Sequence, residues 1–282
     1  MPLNVKQLAR IAWGVSLGCL LTAASAEASP ITFTWNPMGV GLGTPTDGLI
    51  GPADNFTAVD SATIQLGSTG FSEVGSLRIN EFLLGSSMAP SNGLQTDYSV
   101  LFGFTGTGKP VTIPVTNQAS TAPFTSLNYT MYGLNGPTPT ISPTTDVSKI
   151  PGVVPLAYGT LLSGDATLTN VSNLFSAKAD LNLNMTVCTG ASGGNTGFGN
   201  TPCTGDESAF FASPLPQNIS LLIGDFSATT SVTSLSGTTL TINGGGGNLT
   251  LDTATKVPEP ASMMVIGSGL LALGLVRRRK AV

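Results

Sequence analysis

The chain has 282 residues and a formal net charge of −4 at pH 7, and only 9% of its residues are charged. It contains no histidine, which excludes Ser-His-Asp and Cys-His catalysis and every metal site that needs an imidazole ligand. Between residues 29 and 256 acidic residues outnumber basic ones. A domain without a basic patch is poorly suited to nucleic acid, so we expect no nucleic-acid partner.

The first 28 residues are predicted to be a secretory signal peptide. Lys6 and Arg10 precede an apolar stretch at residues 11–21, and small residues follow at 22–28. A positive start, an apolar middle and a small-residue end are the layout of such a peptide. Two cleavage points fit this layout, one after Ala26 and one after Ala28.

Residues 29–256 are predicted to form the mature all-β domain. From residue 177 to residue 187 apolar side chains alternate with polar or charged ones, as in a strand with one buried face. Shorter alternating stretches, rich in residues that suit strands, begin at Ala62, Leu77, Val111, Leu127, Ala166, Leu240 and Leu249. We therefore expect a single antiparallel β-sandwich or jelly-roll-like domain. A Pro/Thr-rich stretch at 135–155 is predicted to be a long loop, with a linker between two subdomains as the alternative.

Oxygen-bearing side chains near the start of the domain suggest calcium as a minor alternative. Asp47, Asp54, Asn55 and Asp60 lie close together in a stretch with loop-like composition, and calcium takes oxygen ligands. Their spacing does not match an EF-hand. Solvated loop residues are the simpler interpretation, so we expect no metal site and no cofactor.

Carboxylates and aromatic residues are the remaining candidates for chemistry. A glycosidase needs only two carboxyl groups, and the candidates are Asp206, Glu207, Asp165, Asp225, Glu73 and Glu81. Adjacent Asp206 and Glu207 would point to opposite faces of a strand, and Glu73 and Glu81 are too far apart on one strand for a retaining pair. The candidate aromatic side chains for stacking on sugars are Trp35, Tyr98, Tyr129, Tyr132 and Tyr158. Solvated acids and core aromatics are the simpler interpretations.

Two cysteines remain in the mature domain. In an oxidising compartment Cys188 and Cys203 are predicted to form a disulfide. The loop they would close, residues 189–202, is rich in Gly and Asn, and the cross-link would contribute roughly 3 kcal/mol in the chain-entropy description. Cys19 lies in the signal peptide, where lipidation is the weaker alternative because better conventional cleavage sites follow it.

The C-terminal residues 257–282 have three parts. Val257, Pro258, Glu259 and Pro260 come first, an apolar run follows at 261–276, and Arg277, Arg278, Arg279 and Lys280 come last. The prolines keep the backbone extended, and the basic cluster favours the cytoplasmic side of a membrane. As a helix the run would be about 24 Å long, shorter than the roughly 30 Å hydrocarbon core. These features predict a transmembrane helix that is removed by processing; a permanent tail anchor and a C-terminal core helix are the alternatives.

This order and spacing resemble the PEP-CTERM sorting signal of Gram-negative bacteria, which the membrane protease exosortase recognises. The resemblance implies export and transient anchoring in the inner membrane. It also implies cleavage by exosortase near residues 257–260 and delivery to the cell surface or extracellular matrix.

A second resemblance bears on function. Three segments look like the flocculation-associated PEP-CTERM proteins of the PepA type, namely residues 31–37, 54–58 and 156–164. That resemblance implies a role in exopolysaccharide-associated flocculation or biofilm. We therefore expect a non-enzymatic surface or matrix protein whose partners are exosortase and an exopolysaccharide or other surface glycan. A carbohydrate-binding module is the first alternative, and a His-free carboxylate glycan hydrolase is the second.

Overall fold

The computed structural model describes residues 31–44, 48–90, 93–172, 174–188, 210–213, 221–228 and 232–252. Contacts place these residues in one compact unit, Pro30–Ala254. Two short 3-10 helices lie at Pro37–Val40 and Val147–Lys149. The strands are β1 (Phe33–Trp35), β2 (Ile50–Ala53), β3 (Asn55–Leu66), β4 (Phe71–Leu84), β5 (Ser87–Met88), β6 (Tyr98–Gly108), β7 (Gln118–Asn135), β8 (Val154–Val171), β9 (Leu174–Asn184), β10 (Thr186–Val187), β11 (Phe211–Ser213), β12 (Leu221–Ala228), β13 (Val232–Ser236) and β14 (Thr239–Asp252).

Eight long strands form one antiparallel sheet that closes on itself. Its order is β3, β4, β6, β7, β8, β9, β12 and β14, and β14 then pairs with β3. Each strand thus pairs with the next long strand along the chain, which is a meander without the crossed connections of a jelly roll. The all-β, antiparallel, sandwich-like prediction is confirmed. Closure leaves the eight strands without a long open edge.

The predicted alternation in residues 177–187 is confirmed for β9. Leu181 and Leu183 are buried in the interior, whereas Lys178, Asp180 and Asn182 are exposed. The strand ends at Asn184, earlier than the pattern predicted, and Thr186 then pairs with Tyr158 as the start of β10. Register shifts in β8 between Leu161 and Ser163 accompany this break.

The interior at the end where β3 begins and β4 ends is filled by aromatic rings. A three-stranded sheet of β11, β1 and β2 packs at this end. The ring centroid of Phe33 on β1 lies 6.0 Å from that of Phe56 and 6.1 Å from that of Phe82. The rings of Trp35 and Phe82 are stacked, with their centroids 4.1 Å apart. We call this region the aromatic end, defined by Phe33, Trp35, Phe56, Phe82 and Phe211.

The Pro/Thr-rich segment connects two neighbouring strands and packs on the outside of the sheet. β7 continues to Asn135 and β8 begins at Val154, so the segment is 136–153. Its Val147 is fully buried against Leu101 and Tyr132, and the Ser99 hydroxyl donates to the Gly136 carbonyl at 3.0 Å. The segment therefore forms a small second core on the outer face. The predicted domain limits near residues 28 and 256 lie outside the described residues and stay predictions.

Candidate functional site

Two carboxyl groups point into the apolar interior of the closed sheet. Asp60 lies on the inward face of β3 between Ala58 and Ala62, and Glu73 lies on the inward face of β4 with Phe71. Asp60 is 7% exposed and Glu73 is 9% exposed. The Asp60 Oδ1 atom is buried without a hydrogen-bond partner. Since an unpaired buried polar atom costs free energy, this oxygen weakens the interior locally.

Asp60 and Glu73 line two small cavities. Each cavity has a volume of about 50 Å³, and both share Phe124 and Ala179 as lining residues. The other walls are mainly aliphatic and aromatic. This volume holds one or two water molecules, since a water's share of the liquid is about 30 Å³. These cavities reach from the middle of β3 towards the end of the sheet where β3 ends and β4 begins. We call this region, which is not the C-terminus, the carboxyl end; it is defined by Asp60, Glu73, Phe124 and Ala179.

The surroundings favour the neutral form of both acids. Burial raises the pKa of Asp60 from 3.8 to about 7, against the lowering effect of the Ser61 backbone hydrogen bond. Burial, and to a smaller extent the negative charge of Asp60, raises the pKa of Glu73 from 4.5 to about 8. At neutral pH Glu73 therefore carries a proton. A neutral carboxyl donates one hydrogen bond and accepts others.

The structure separates the residues that were considered as calcium ligands. Residues 50–53 and 55–66 are strands rather than a loop. Both Asp54 carboxylate oxygens accept from the Gly85 amide, at 3.0 and 2.9 Å, and Asn55 donates to the Gly85 carbonyl at 3.2 Å. Asp60 instead faces the interior, and Asp47 lies outside the described residues. Among the residues that the structure describes, no group of three or more Cys, Asp or Glu side chains is placed to hold a metal ion.

Of the other carboxylate candidates, Asp165 on β8 and Asp225 on β12 are each in register with Asp180 on β9, which lies between them. Asp165 is exposed on β8, and Glu81 is half-buried near the end of β4, far along that strand from Glu73. Asp206 and Glu207 lie outside the described residues, as does the side chain of Asp225. The pair that the fold does bring to one cavity, Asp60 and Glu73, was not predicted. The sequence does contain a signal for this pair. With a period of two, Asp60 falls on the same strand face as Ala58 and Ala62, and Glu73 falls on the same face as Phe71 and Leu77.

Four of the five aromatic candidates for sugar stacking are core residues. Trp35, Tyr98, Tyr129 and Tyr132 are all buried. The Trp35 indole N–H donates to the Tyr98 hydroxyl at 2.9 Å, and the Tyr129 hydroxyl donates to the Asn184 carbonyl at 3.0 Å. Tyr158 is half-buried on β8. The simpler prediction of core aromatics is therefore correct for these four.

A polar surface lies on the outside of β6, β7, β8 and β9, and most of its hydrogen-bonding side chains are uncharged. Its side chains bond across strands: Thr107 with Thr125 and Ser126, Thr121 with Thr167, Asn182 with Ser163, and Asn184 with Thr160. These distances lie between 2.7 and 3.2 Å. We call this surface, defined by those nine residues, the polar outer face. Hydroxyl and amide groups both donate and accept hydrogen bonds, so the face can exchange internal bonds for bonds to a polyhydroxylated partner.

The predicted disulfide is only half within the described residues. Cys188 is buried directly after β10, and its backbone N–H donates to the Leu156 carbonyl at 2.8 Å. Cys203 lies outside the described residues. The pairing of Cys188 with Cys203 stays a prediction.

Comparison with known families decides the sorting signal. Residues 256–280 match the family described as PEP-CTERM protein-sorting motif. The chain carries a PEP-CTERM motif. The match encloses Val257–Pro260, the apolar run at 261–276 and the basic cluster Arg277–Lys280. The motif indicates an exported protein that exosortase processes.

The PEP-CTERM assignment depends on the family match at residues 256–280 alone. No curated protein and no solved structure matched the chain. Within the described ranges, no helix has the length and apolar character needed to cross a membrane. The predicted transmembrane helix at 261–276 lies outside those ranges, as do the motif and the signal peptide.

Proposed function

We propose that this exported protein is a non-enzymatic component of the cell surface or extracellular matrix of a Gram-negative bacterium. In this proposal the 261–276 segment anchors it briefly in the inner membrane, and exosortase cleaves near residues 257–260. The mature domain then associates with exopolysaccharide and contributes to flocculation or biofilm. The flocculation role comes from the PepA-type resemblance of residues 31–37, 54–58 and 156–164.

The polar outer face is the observation that supports a glycan partner most directly. It presents hydroxyl and amide groups over four adjacent strands, and the charged side chains of Asp165, Lys178 and Asp180 lie among them. Such a surface suits many weak hydrogen bonds to a neutral polysaccharide rather than a single deep sugar site. Burial of Trp35, Tyr98, Tyr129 and Tyr132 disfavours the alternative carbohydrate-binding module that stacks sugars on these rings.

The size of the interior cavities supports a non-enzymatic role. Ligand pockets usually measure about 300–1,000 Å³, whereas the cavities beside Asp60 and Glu73 measure about 50 Å³ each. The His-free hydrolase alternative would use acids other than this buried pair, and an Asp206→Asn or Glu207→Gln variant that abolishes a measured glycan cleavage would favour it.

Co-sedimentation with exopolysaccharide from the producing cells tests the glycan partner. The test variant is Thr107→Val, Thr121→Val and Thr125→Val together, which removes three exposed hydroxyls from the polar outer face. The matched control is Thr96→Val, Thr144→Val and Thr238→Val, three exposed threonines outside that face. We expect at least a several-fold loss of bound protein for the first variant and little change for the second. Equal binding by both variants and the unmodified protein would contradict the role of the face.

Intact-mass analysis of the protein from envelope and medium tests the sorting step. We expect a surface form that lacks everything beyond the 257–260 region. Retention of Arg277–Lys280 in that form would indicate a permanent tail anchor.

A further inference from the structure

The carboxyl end carries two ionisable groups that the proposed function does not use. Asp60 comes from β3 and Glu73 from β4, and neither side chain has a cationic partner within ion-pair distance in the described part of the chain. The Asp60 Oδ1 atom is unpartnered, and both residues line the same two cavities. In a purely structural core we expect apolar residues at such positions, because apolar side chains avoid the cost of burying a polar group.

The walls of the cavities contain few other groups that could compensate a negative charge. Tyr129 on β7 faces one cavity, but burial raises its pKa and its hydroxyl is bonded to the Asn184 carbonyl. Lys178 on β9 borders the other cavity, yet its ammonium forms an ion pair with Asp180 on the outer side. The described lining residues from β6, β8, β12 and β14 are uncharged.

We propose that Asp60 and Glu73 form a proton-binding pair that makes the closed sheet stable while both are neutral and weakens it when they ionise. In the neutral state each carboxyl can bond to a water in the adjacent cavity, which suits its volume. After ionisation two like charges lie in apolar surroundings, and the interior must admit more water or open. The domain is thus most stable in acidic surroundings.

The sign of the effect follows from proton linkage. Unfolded, the two acids titrate near their ordinary pKa values of 3.8 and 4.5; folded, they titrate near about 7 and about 8. Between about pH 4.5 and pH 7 the folded state therefore holds between one and two more protons than the unfolded state, and a smaller excess persists through about pH 8. Stability falls as pH rises through this whole range, and it becomes level above about pH 9. For each extra proton that the folded state holds, the equilibrium constant for unfolding rises about tenfold per unit increase in pH.

Urea unfolding of the full exported protein between pH 4.5 and pH 9 tests the proposal. The variant Asp60→Asn with Glu73→Gln keeps the shapes but cannot ionise, and Asp165→Asn on the exposed side of β8 is the matched control. We expect the double variant to lose the steep pH dependence and to exceed the unmodified protein in stability at pH 8.5. The control should follow the unmodified curve. Parallel curves for the double variant and the unmodified protein would overturn the proposal.

Two further measurements keep the test decisive. If the double variant does not fold, Glu73→Gln alone should remove about half of the pH dependence. Infrared spectra of the folded protein should show a protonated-carboxyl band that persists at pH 6, loses about half of its intensity in Glu73→Gln and disappears in the double variant. Absence of that band at pH 6 contradicts the pair, as does restoration of stability at pH 8.5 by added calcium, which would make the pair a cation site.

Discussion

The two ends of the closed sheet differ in the side chains that fill their interior: aromatic rings pack at one end, and two acids border cavities at the other. At the aromatic end Phe33, Trp35, Phe56 and Phe82 are essentially without exposure, and the indole N–H has a partner in Tyr98. At the carboxyl end Asp60 keeps an unpartnered oxygen beside unfilled space. Close packing and satisfied polar groups stabilise a core, and gaps or buried acids weaken it. Stability is therefore distributed unevenly along the strands.

This unevenness separates two roles within one domain. The aromatic end also holds the three-stranded sheet of β11, β1 and β2, so it ties the start of the domain to the segment after β10. The carboxyl end contains no comparable second layer among the described residues, and its lining side chains come from the closed sheet and from Val111. We infer that the aromatic end sets the overall stability, whereas the carboxyl end sets how stability responds to solution conditions.

Phe82→Ala should give the largest loss of stability. Phe82 stacks on Trp35 and contacts Phe33 and Phe56 edge-on, so its removal leaves a large cavity. We expect a cost of about 3–5 kcal/mol in the free energy of unfolding, measured by urea denaturation. The control Phe175→Ala, a half-buried ring on β9, should cost clearly less. A cost of less than about 1 kcal/mol for Phe82→Ala would refute the assignment of stability to the aromatic end.

Adding volume should have opposite effects at the two ends. Ala53 is fully buried at the aromatic end, whereas Ala179 borders both cavities. Ala53→Val should cost about 1–3 kcal/mol because it overfills a packed site. Ala179→Val should instead stabilise by about 0.5–2 kcal/mol because it fills space. Thermal unfolding of the two variants beside the unmodified protein measures both effects, and a loss of equal size in each would show that the ends are packed alike.

The sequence predicted the local features of this fold and missed those that depend on distant pairing. Alternation identified β9 because period two is a property of consecutive residues. Closure of the sheet requires β9 to pair with both β8 and β12, and no local pattern encodes which strands meet. The strand break at Met185 was missed for a related reason. Because Gly159 on β8 has no side chain, the Asn184 carbonyl can approach it closely. A Cβ atom at position 159 would collide with that carbonyl oxygen.

The candidate sites show the same division. The sorting motif was predictable because a processing enzyme reads a short contiguous stretch, and the family match includes it. Asp60 was grouped with Asp54 because they are close in sequence. Asp60 faces the interior, however, whereas Asp54 accepts a hydrogen bond from the Gly85 amide just before β3 begins. Its pairing with Glu73 depends on the register of β3 and β4, in which Ile64 lies opposite Glu73. Nearness in sequence is a poor guide to nearness within a sheet.

The Trp35–Tyr98 hydrogen bond should make a modest contribution at the aromatic end. It joins two buried side chains that are 63 positions apart in the sequence. A double-mutant cycle with Trp35→Phe and Tyr98→Phe should give a coupling of about 0.5–1.5 kcal/mol. The coupling should be the same at pH 5 and pH 8, since the bond joins an indole N–H to a hydroxyl and involves no carboxyl group. A coupling that changes with pH would mean that the two ends are not independent.

The ion pair between Lys178 and Asp180 should contribute least, although it lies against the carboxyl end. The Nζ–Oδ1 distance is 2.9 Å, but the side chains are 49% and 58% exposed, so we expect Lys178→Met to cost about 0.2–1 kcal/mol. High salt should reduce that cost. The pH dependence should remain, because the pKa values of Asp60 and Glu73 are raised, whereas a compensating cation would lower them.

Urea unfolding of Lys178→Met at pH 6 and pH 8.5, at low and high salt, separates these effects, with Lys109→Met on an exposed turn as the control. If the Lys178 variant moves the fall in stability to higher pH, its ammonium serves as the counter-ion of the interior acids. The carboxyl end would then have its own charge partner, and the contrast with the aromatic end would reduce to one of packing alone.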